Sequence, residues 1–368
     1  MRILRLHYAT SFTLAIAIAA CAAETPVDPN AIPNAGSGWD RRFVAENSPN
    51  NIVSKITAGT DLVFVGGSFN QVRSRGDQKQ RQHIVAWTGA DWKTLVASVA
   101  QSDPLEGATA KAMEMFEGEL HVAGTFDKFD GVNVFEFAKW NGTEWKNASA
   151  IRPYDIAVSG VNMYVASAHG ACEIRNGAWI AFETGLATPK YIKRIAAIET
   201  TVYGQLGADV FEWTGVDWKT IGTVARTDAG APIIHDIIVI NHTLYAIGDF
   251  DKIGSTTLDS YGIARWDGTR WVGEGDDRGS RAAVYALTRG AQGGLLAGRF
   301  GALAELESTS PSDPMQWTIM GDVKRTGGEP GKVLAVAVHK GIVYIGGDFT
   351  SIADDGQSIT SHYFGAYH

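Results

Sequence analysis

The chain has 368 residues, 45% of them hydrophobic, with 42 glycines and 11 tryptophans, enough to bury a large core. Its net charge of −8 argues against a nucleic-acid-binding surface, which is normally basic. Beyond the N-terminus no apolar run reaches the roughly 18 residues of a membrane-spanning helix, and two cysteines, Cys21 and Cys172, cannot form a disulfide framework.

Residues 1–20 (MRILRLHYATSFTLAIAIAA) place Arg2 and Arg5 before an apolar run, Phe12 to Ala20. That run is too short to span a bilayer and reads as a signal peptide. Ile18-Ala19-Ala20-Cys21 resembles the bacterial lipobox, an aliphatic and two small residues before a cysteine. The resemblance implies cleavage before Cys21, a lipid on its thiol and an acyl group on the new amino terminus. The membrane would then be held through the lipid anchor only, at about 0.8 kcal/mol per buried methylene. Ala20-Cys21-Ala22 also fits the small-x-small pattern of ordinary cleavage, which would give a secreted protein. The expected location is the bacterial cell envelope, at the outer membrane or cell surface. Loss of residues 1–20 removes two arginines and no acids, so the charge of −8 becomes −10. Residues 21–38, rich in Pro, Gly, Ala and Asn, read as a flexible tether carrying the lipidated Cys21.

From residue 39 onward the chain repeats. Four hexamers share the pattern Trp–x–Gly–x–x–Trp: WTGADW (87–92), WNGTEW (140–145), WTGVDW (213–218) and WDGTRW (266–271). Asn141-Gly142 and Asp267-Gly268 are strong hairpin-turn pairs. A two-residue turn would set Trp145 diagonal to Trp140, and a four-residue loop would set the two directly opposite. Either register puts both on one face of the hairpin, where another sheet must cover them. Upstream stands a second phrase: LVFVGGSF (62–69), LHVAGTF (120–126), LYAIGDF (244–250), LLAGRF (295–300) and VYIGGDF (343–349). Its alternation describes a strand with one buried face. Before it lies a further apolar stretch, as in KAMEMFEG (111–118), HDIIVINH (235–242) and KVLAVAVHKG (332–341). One unit is therefore four strands, with tight turns after the first and third and a longer loop after the second. The fourth-strand tryptophans are Trp39, Trp92, Trp145, Trp179, Trp218, Trp271 and Trp317. The last unit ends at HYFGAYH without a fourth strand, and Trp39 is a fourth-strand residue without a unit. The fold class read from this is all-β: a seven-bladed β-propeller of four-stranded antiparallel blades over 39–368, closed by an N-terminal strand that completes the last blade.

The pairing of a Gly-Gly-x-Phe strand with IARWDGTRW (263–271) resembles the kelch-like repeats of bacterial surface and secreted propellers. It is also similar to repeats in the ectodomains of fungal cortical polarity markers, and more remotely to the galactose-oxidase propeller. The resemblance covers about 39–368 and implies a fold rather than a function. It does not carry galactose oxidase activity, whose copper site needs Tyr and His ligands and a Tyr crosslinked to Cys. Cys172 lies in the divergent third unit without that context and reads as a small buried hydrophobe.

No catalytic residue, metal site or cofactor is assigned. GGEPGKV (327–333) lacks the first Gly and the Ser or Thr of a phosphate loop. His121 and His235 read as core or edge histidines. Asp127, Asp130, Asp249, Asp251, Asp348, Asp354 and Asp355 read as solvated turn carboxylates, without EF-hand spacing. The connections after the second and fourth strands of the units are long and irregular: 71–83, 97–110, 273–282 and 321–332. Recognition on a rigid scaffold usually lives in such loops. The candidate partner-binding residues are therefore Arg73, Arg75, Asp276, Asp277, Arg278, Arg281, Lys324 and Arg325. The function expected is that of a non-catalytic binding module for a protein or glycan partner, not for nucleic acid. The alternative is a cell-surface enzyme acting on polysaccharide from the axial mouth. Charged side chains from several blades converging there would favour the enzyme, and small apolar ones would favour binding.

Overall fold

The computed structural model describes residues 38–74, 81–101, 107–148, 151–182, 191–258, 261–274, 281–307, 316–354 and 357–368; Cys21 and the signal and tether segments lie outside them. Among the described residues the regular secondary structure is all strand apart from one 3-10 turn at Ala45–Asn47, and no helix is long and apolar enough to cross a membrane.

Six antiparallel four-stranded meanders follow one another. The second is Ala110–Phe116, Glu119–Gly124, Phe137–Trp140 and Trp145–Asn147. The first strands of the other five are Val53–Ala58, Pro153–Ser159, Arg194–Ile198, Ile233–Ile240 and Val284–Arg289. A seventh sheet has three strands, Lys332–His339, Ile342–Asp348 and Phe364–Tyr367. Trp39 bridges to Tyr367 on its open edge, and Gly38 and His368 exchange backbone hydrogen bonds of 3.1 and 3.2 Å. The first strand of each sheet packs against those of its neighbours, including that of the first sheet against that of the seventh. Phe43, Val53, Trp92, Tyr344 and Phe364 form one buried cluster across these two sheets.

The tryptophan hexamers adopt the four-residue loop. Trp87 pairs with Trp92, Trp140 with Trp145, Trp213 with Trp218 and Trp266 with Trp271. Ring centroids lie 5.0–5.4 Å apart. Gly142 and Gly268 carry the positive φ, 101° and 96°. Asn141 Oδ1 accepts from the Thr143 and Glu144 amides, and Asp267 Oδ1 from those of Thr269 and Arg270. The Asn or Asp thus closes the loop with its side chain rather than with a left-handed backbone.

Several fourth-strand indoles reach back to the sheet before their own. Trp145 Nε1 donates to Leu95 O at 2.8 Å, Trp271 to Ile221 O at 2.9 Å and Trp317 to Glu274 O at 2.9 Å. Trp39 makes the same reach, to Met320 O at 3.4 Å. A Cβ on Gly321 would lie 2.8–3.0 Å from the Trp39 ring, so a glycine seats the indole there.

The sheets are also sewn together by hairpins inside the long second-to-third-strand connections. Lys252–Ile253 pairs with Val224 and Ala225 of the fourth sheet, and Ser351–Asp354 pairs with Asp322, Val323 and Lys324 of the sixth. One strand phrase departs from expectation. Phe69, Phe126, Phe250 and Phe349 are buried, whereas Phe300 of LLAGRF is 43% exposed. Val284 pairs with Arg299 where Ile234 pairs with Gly248, so this phrase is one residue short. A one-residue slip sends its Phe to the opposite face.

Candidate functional site

In six of the seven sheets the first strand carries a bulge just after its start, between Val53 and Lys55, Ala110 and Ala112, Pro153 and Asp155, Ile234 and Asp236, Val284 and Ala286, and Val333 and Ala335. A bulge leaves one residue out of the ladder and re-aims its side chain. The residues so released are Ser54, Lys111, Tyr154, His235, Tyr285 and Leu334. All six line one cavity of about 710 Å³, with Thr109, Tyr191, Lys193, Arg194, Lys55 and Asp236. The cavity lies where the first strands begin, at the end of the sheets reached by the long connections from the preceding outer strands.

The next tier inward is Lys55, Ala112, Asp155, Arg194, Asp236, Ala286 and Ala335. They occupy one register, opposite Gly66, Ala123, Ala166, Gln205, Ile247, Gly298 and Gly346. Four are charged and three are alanines, two charges of each sign. Lys55 Nζ lies 3.5 Å and Arg194 Nε 3.6 Å from the Asp236 carboxylate, which joins the first, fourth and fifth sheets. Arg194 Nε also donates to His235 O at 2.9 Å, and Asp155 Oδ2 accepts from the Ile195 amide at 3.0 Å. Deeper lies a second cavity of about 430 Å³, lined by first strands of all seven sheets and mostly by Ala, Val and Ile.

Glu114 lines this inner cavity. Burial, together with the nearby Asp155 carboxylate, pushes it up to about 8 against the pull of Lys55. Burial and Asp236 push Asp155 up to about 6, opposed by Arg194, Lys55 and the Ile195 amide. At neutral pH Glu114 is therefore mostly protonated and the four-charge tier is balanced. At the mouth, burial holds His235 below the ordinary histidine value. Its ring lies 4.5 Å from that of Tyr285, over which Lys332 Nζ sits at 5.4 Å.

No protein-family model matches the chain, and no curated protein matches it in sequence. Among solved structures it is similar to YCF48 bound to D1 peptide, with TM-score 0.55 and 11% identity over 91% of this chain and 96% of that one. It is similar to the extracellular domain of BT4673 from B. thetaiotaomicron, with TM-score 0.53 and 9% identity over 89% of this chain; it spans 39% of that chain's length. It is also similar to a catalytically inactive virginiamycin B lyase from Staphylococcus aureus with quinupristin, with TM-score 0.50, 12% identity and coverage of 90% and 99%. These are β-propellers. The fold is a β-propeller.

Of the loop residues picked from the sequence, the described ones, Arg73, Arg281, Lys324 and Arg325, do not line the mouth cavity. Arg281 is paired with Asp228 and Asp251, and its guanidinium lies 5.8 Å from the Tyr261 ring centre. Arg325 is paired with Asp348, Lys324 pairs through its backbone with Ser351, and Arg73 is exposed. Arg75, Asp276, Asp277 and Arg278 lie outside the described residues. Several turn carboxylates are bonded within the protein: Asp130 caps the Ala97 and Ser98 amides, Asp249 holds Arg226 and Tyr261, and Asp251 holds Thr227. Cys172 is buried, and burial pushes its thiol up to about 12. His121 packs between Phe116 and Phe137 as a core residue, whereas His235 faces the mouth.

Lys55, Asp155, Arg194 and Asp236 were not singled out from the sequence because each is an ordinary polar residue in an ordinary strand. The signal lies in superposing the units. Where Ala112, Ala286 and Ala335 stand in three, Lys55, Asp155, Arg194 and Asp236 stand in the other four.

Proposed function

We propose that the chain is a lipid-anchored, seven-bladed propeller of the bacterial cell envelope, of the kelch-like type. On this reading it binds a protein or glycan partner at the mouth of its central cavity. Closure of the ring rests on the Trp39–Tyr367 bridge and on the Trp39 indole reaching Met320 as other fourth-strand indoles reach the sheet before them. One observation carries the binding reading: six bulges from six sheets deliver polar, aromatic and apolar side chains to one mouth of about 710 Å³. A concave site with a few convergent polar groups on rigid strands is what recognition requires. The extracellular domain among its structural neighbours fits an envelope location.

The second reading, an enzyme acting on polysaccharide, is favoured by the convergence of Lys55, Arg194 and Asp236 above a protonated Glu114. Against it, these charges are largely spent on one another.

The test offers glycans and envelope extracts to the chain and to its Lys193→Glu and Tyr191→Ala forms. Capture of a partner that both substitutions weaken supports the mouth, and capture indifferent to both overturns it. Release of new reducing ends or unsaturated sugars, abolished by Glu114→Gln, would move the conclusion to the enzyme.

A further inference from the structure

The channel beneath the mouth carries one carboxyl more than its cations balance. The inner cavity of about 430 Å³ adjoins the mouth, because Lys55, Asp236, Tyr285 and Leu334 line both. Its lining sets one cation, Lys55, against three carboxyls, Glu114, Asp155 and Asp236. Arg194 adds a second cation from the mouth, beside Asp236. Lys55 and Arg194 are both paired with Asp236, whereas Glu114 and Asp155 are in no ion pair among the described residues. Asp155 is served in part by the Ile195 amide. The Glu114 carboxyl takes no hydrogen bond among the described residues. His121, opposite Glu114 across the ladder, is held neutral by burial and supplies no charge. The folded chain meets the excess by leaving a proton on Glu114.

A guest cation would supply the third positive charge and let Glu114 ionise, its proton passing to solvent. A metal ion does not fit: among the described residues no group of three or more His, Cys, Asp or Glu side chains is placed to hold one. The rest of the wall is mostly Ala, Val and Ile, and Tyr285 is the one aromatic residue of the lining. Such a wall favours methylenes and penalises hydroxyls left without partners. A primary ammonium suits the polar end, since it carries one charge and three N–H donors for neighbouring carboxyls and water.

We propose that the inner channel binds an aliphatic primary amine, its ammonium on Glu114 and Asp155 and its chain along the Ala, Val and Ile wall. The site lies beneath the mouth and does not depend on what the mouth captures, so its failure would leave the partner reading untouched. The test titrates the full-length chain, by calorimetry, with pentylammonium. 1-Pentanol is the uncharged comparison and tetramethylammonium the cation without N–H donors. Pentylammonium should bind, with both comparisons weaker by about tenfold or more. Binding at neutral pH should release the Glu114 proton, so affinity should rise as pH climbs towards about 8 and level off above it. Glu114→Gln should weaken pentylammonium binding by about tenfold or more and abolish the proton release. Asp155→Asn, whose amide oxygen can still accept from Ile195, should weaken it by about several-fold. Melting curves verify that both variants fold. Three results overturn the proposal: no binding of pentylammonium, equal binding of either comparison, or a folded Glu114→Gln that binds pentylammonium as tightly as the parent chain.

Discussion

Trp39 and Tyr367 meet edge to face, ring centroids 5.3 Å apart, across an antiparallel bridge between the two ends of the described chain. Asp40 N donates to Ala366 O at 2.8 Å beside them, and the buried Asp40 carboxylate holds Arg42 at 2.6 Å. Removing the indole takes away the edge contact, the bond to Met320 and the filling of the Gly321 seat. Trp39→Ala should therefore cost about 2–4 kcal/mol in urea denaturation. Unchanged stability would mean that this end of the chain is ornamental.

Trp145 is 5% exposed, packs 4.9 Å from Phe129 and donates to Leu95 O. Its truncation opens a cavity between the first and second sheets and strands a buried carbonyl. Trp145→Ala should lower stability by about 3–5 kcal/mol, read as a fall in melting temperature. Trp179, whose indole is half-buried, should cost clearly less when truncated. Equal effects would contradict the fastening role of Trp145.

Glu114 makes stability depend on pH. Burial raises its affinity for a proton first, and Asp155 raises it further. The folded chain keeps the proton up to about 8, while the unfolded chain releases it in the ordinary carboxylate range. Across that window the folded state binds more protons, so stability falls as pH rises through it. Glu114→Gln cannot ionise and should flatten this slope, gaining of the order of 2 kcal/mol at pH 9. Melting curves of both forms from pH 5 to 9 check the sign, and parallel curves would show that the carboxyl is not held neutral.

Cys21 is testable without reference to the fold. If the thiol carries the lipid, Cys21→Ser should abolish incorporation of labelled palmitate and release the protein from the membrane fraction. Undiminished labelling would remove the anchor.

The architecture was legible wherever a residue type has one structural use. The Trp–x–Gly–x–x–Trp hexamers fixed the hairpins, and Trp39, lacking a unit, pointed to the open edge beside Tyr367. The loop register was not legible, because Asn141-Gly142 suits both turn lengths until the Asn141 side chain is seen capping Thr143 and Glu144. LLAGRF looked like its fellows because one missing residue leaves composition intact while reversing which side chain points inward. The site was hidden for a different reason. Bulges have no side-chain signature, so nothing in YDIAVSG or HDIIVINH marks Tyr154 or His235 as released from the ladder. The search among long loops singled out residues that, where they are described, do not line the mouth. Arg281 and Arg325 hold those loops down through Asp228, Asp251 and Asp348.

The bulges have one more consequence. A side chain re-aimed by a bulge stands outside the alternation of its strand, so its exchange leaves the register unchanged. Ser54, Lys111, Tyr154, His235, Tyr285 and Leu334 are therefore six replaceable keys on a fixed board, with His235 and Tyr285 coupled through their ring contact. Relatives of this chain could change what they hold by rewriting those letters alone, while the tryptophans that lock the board in place stay as they are.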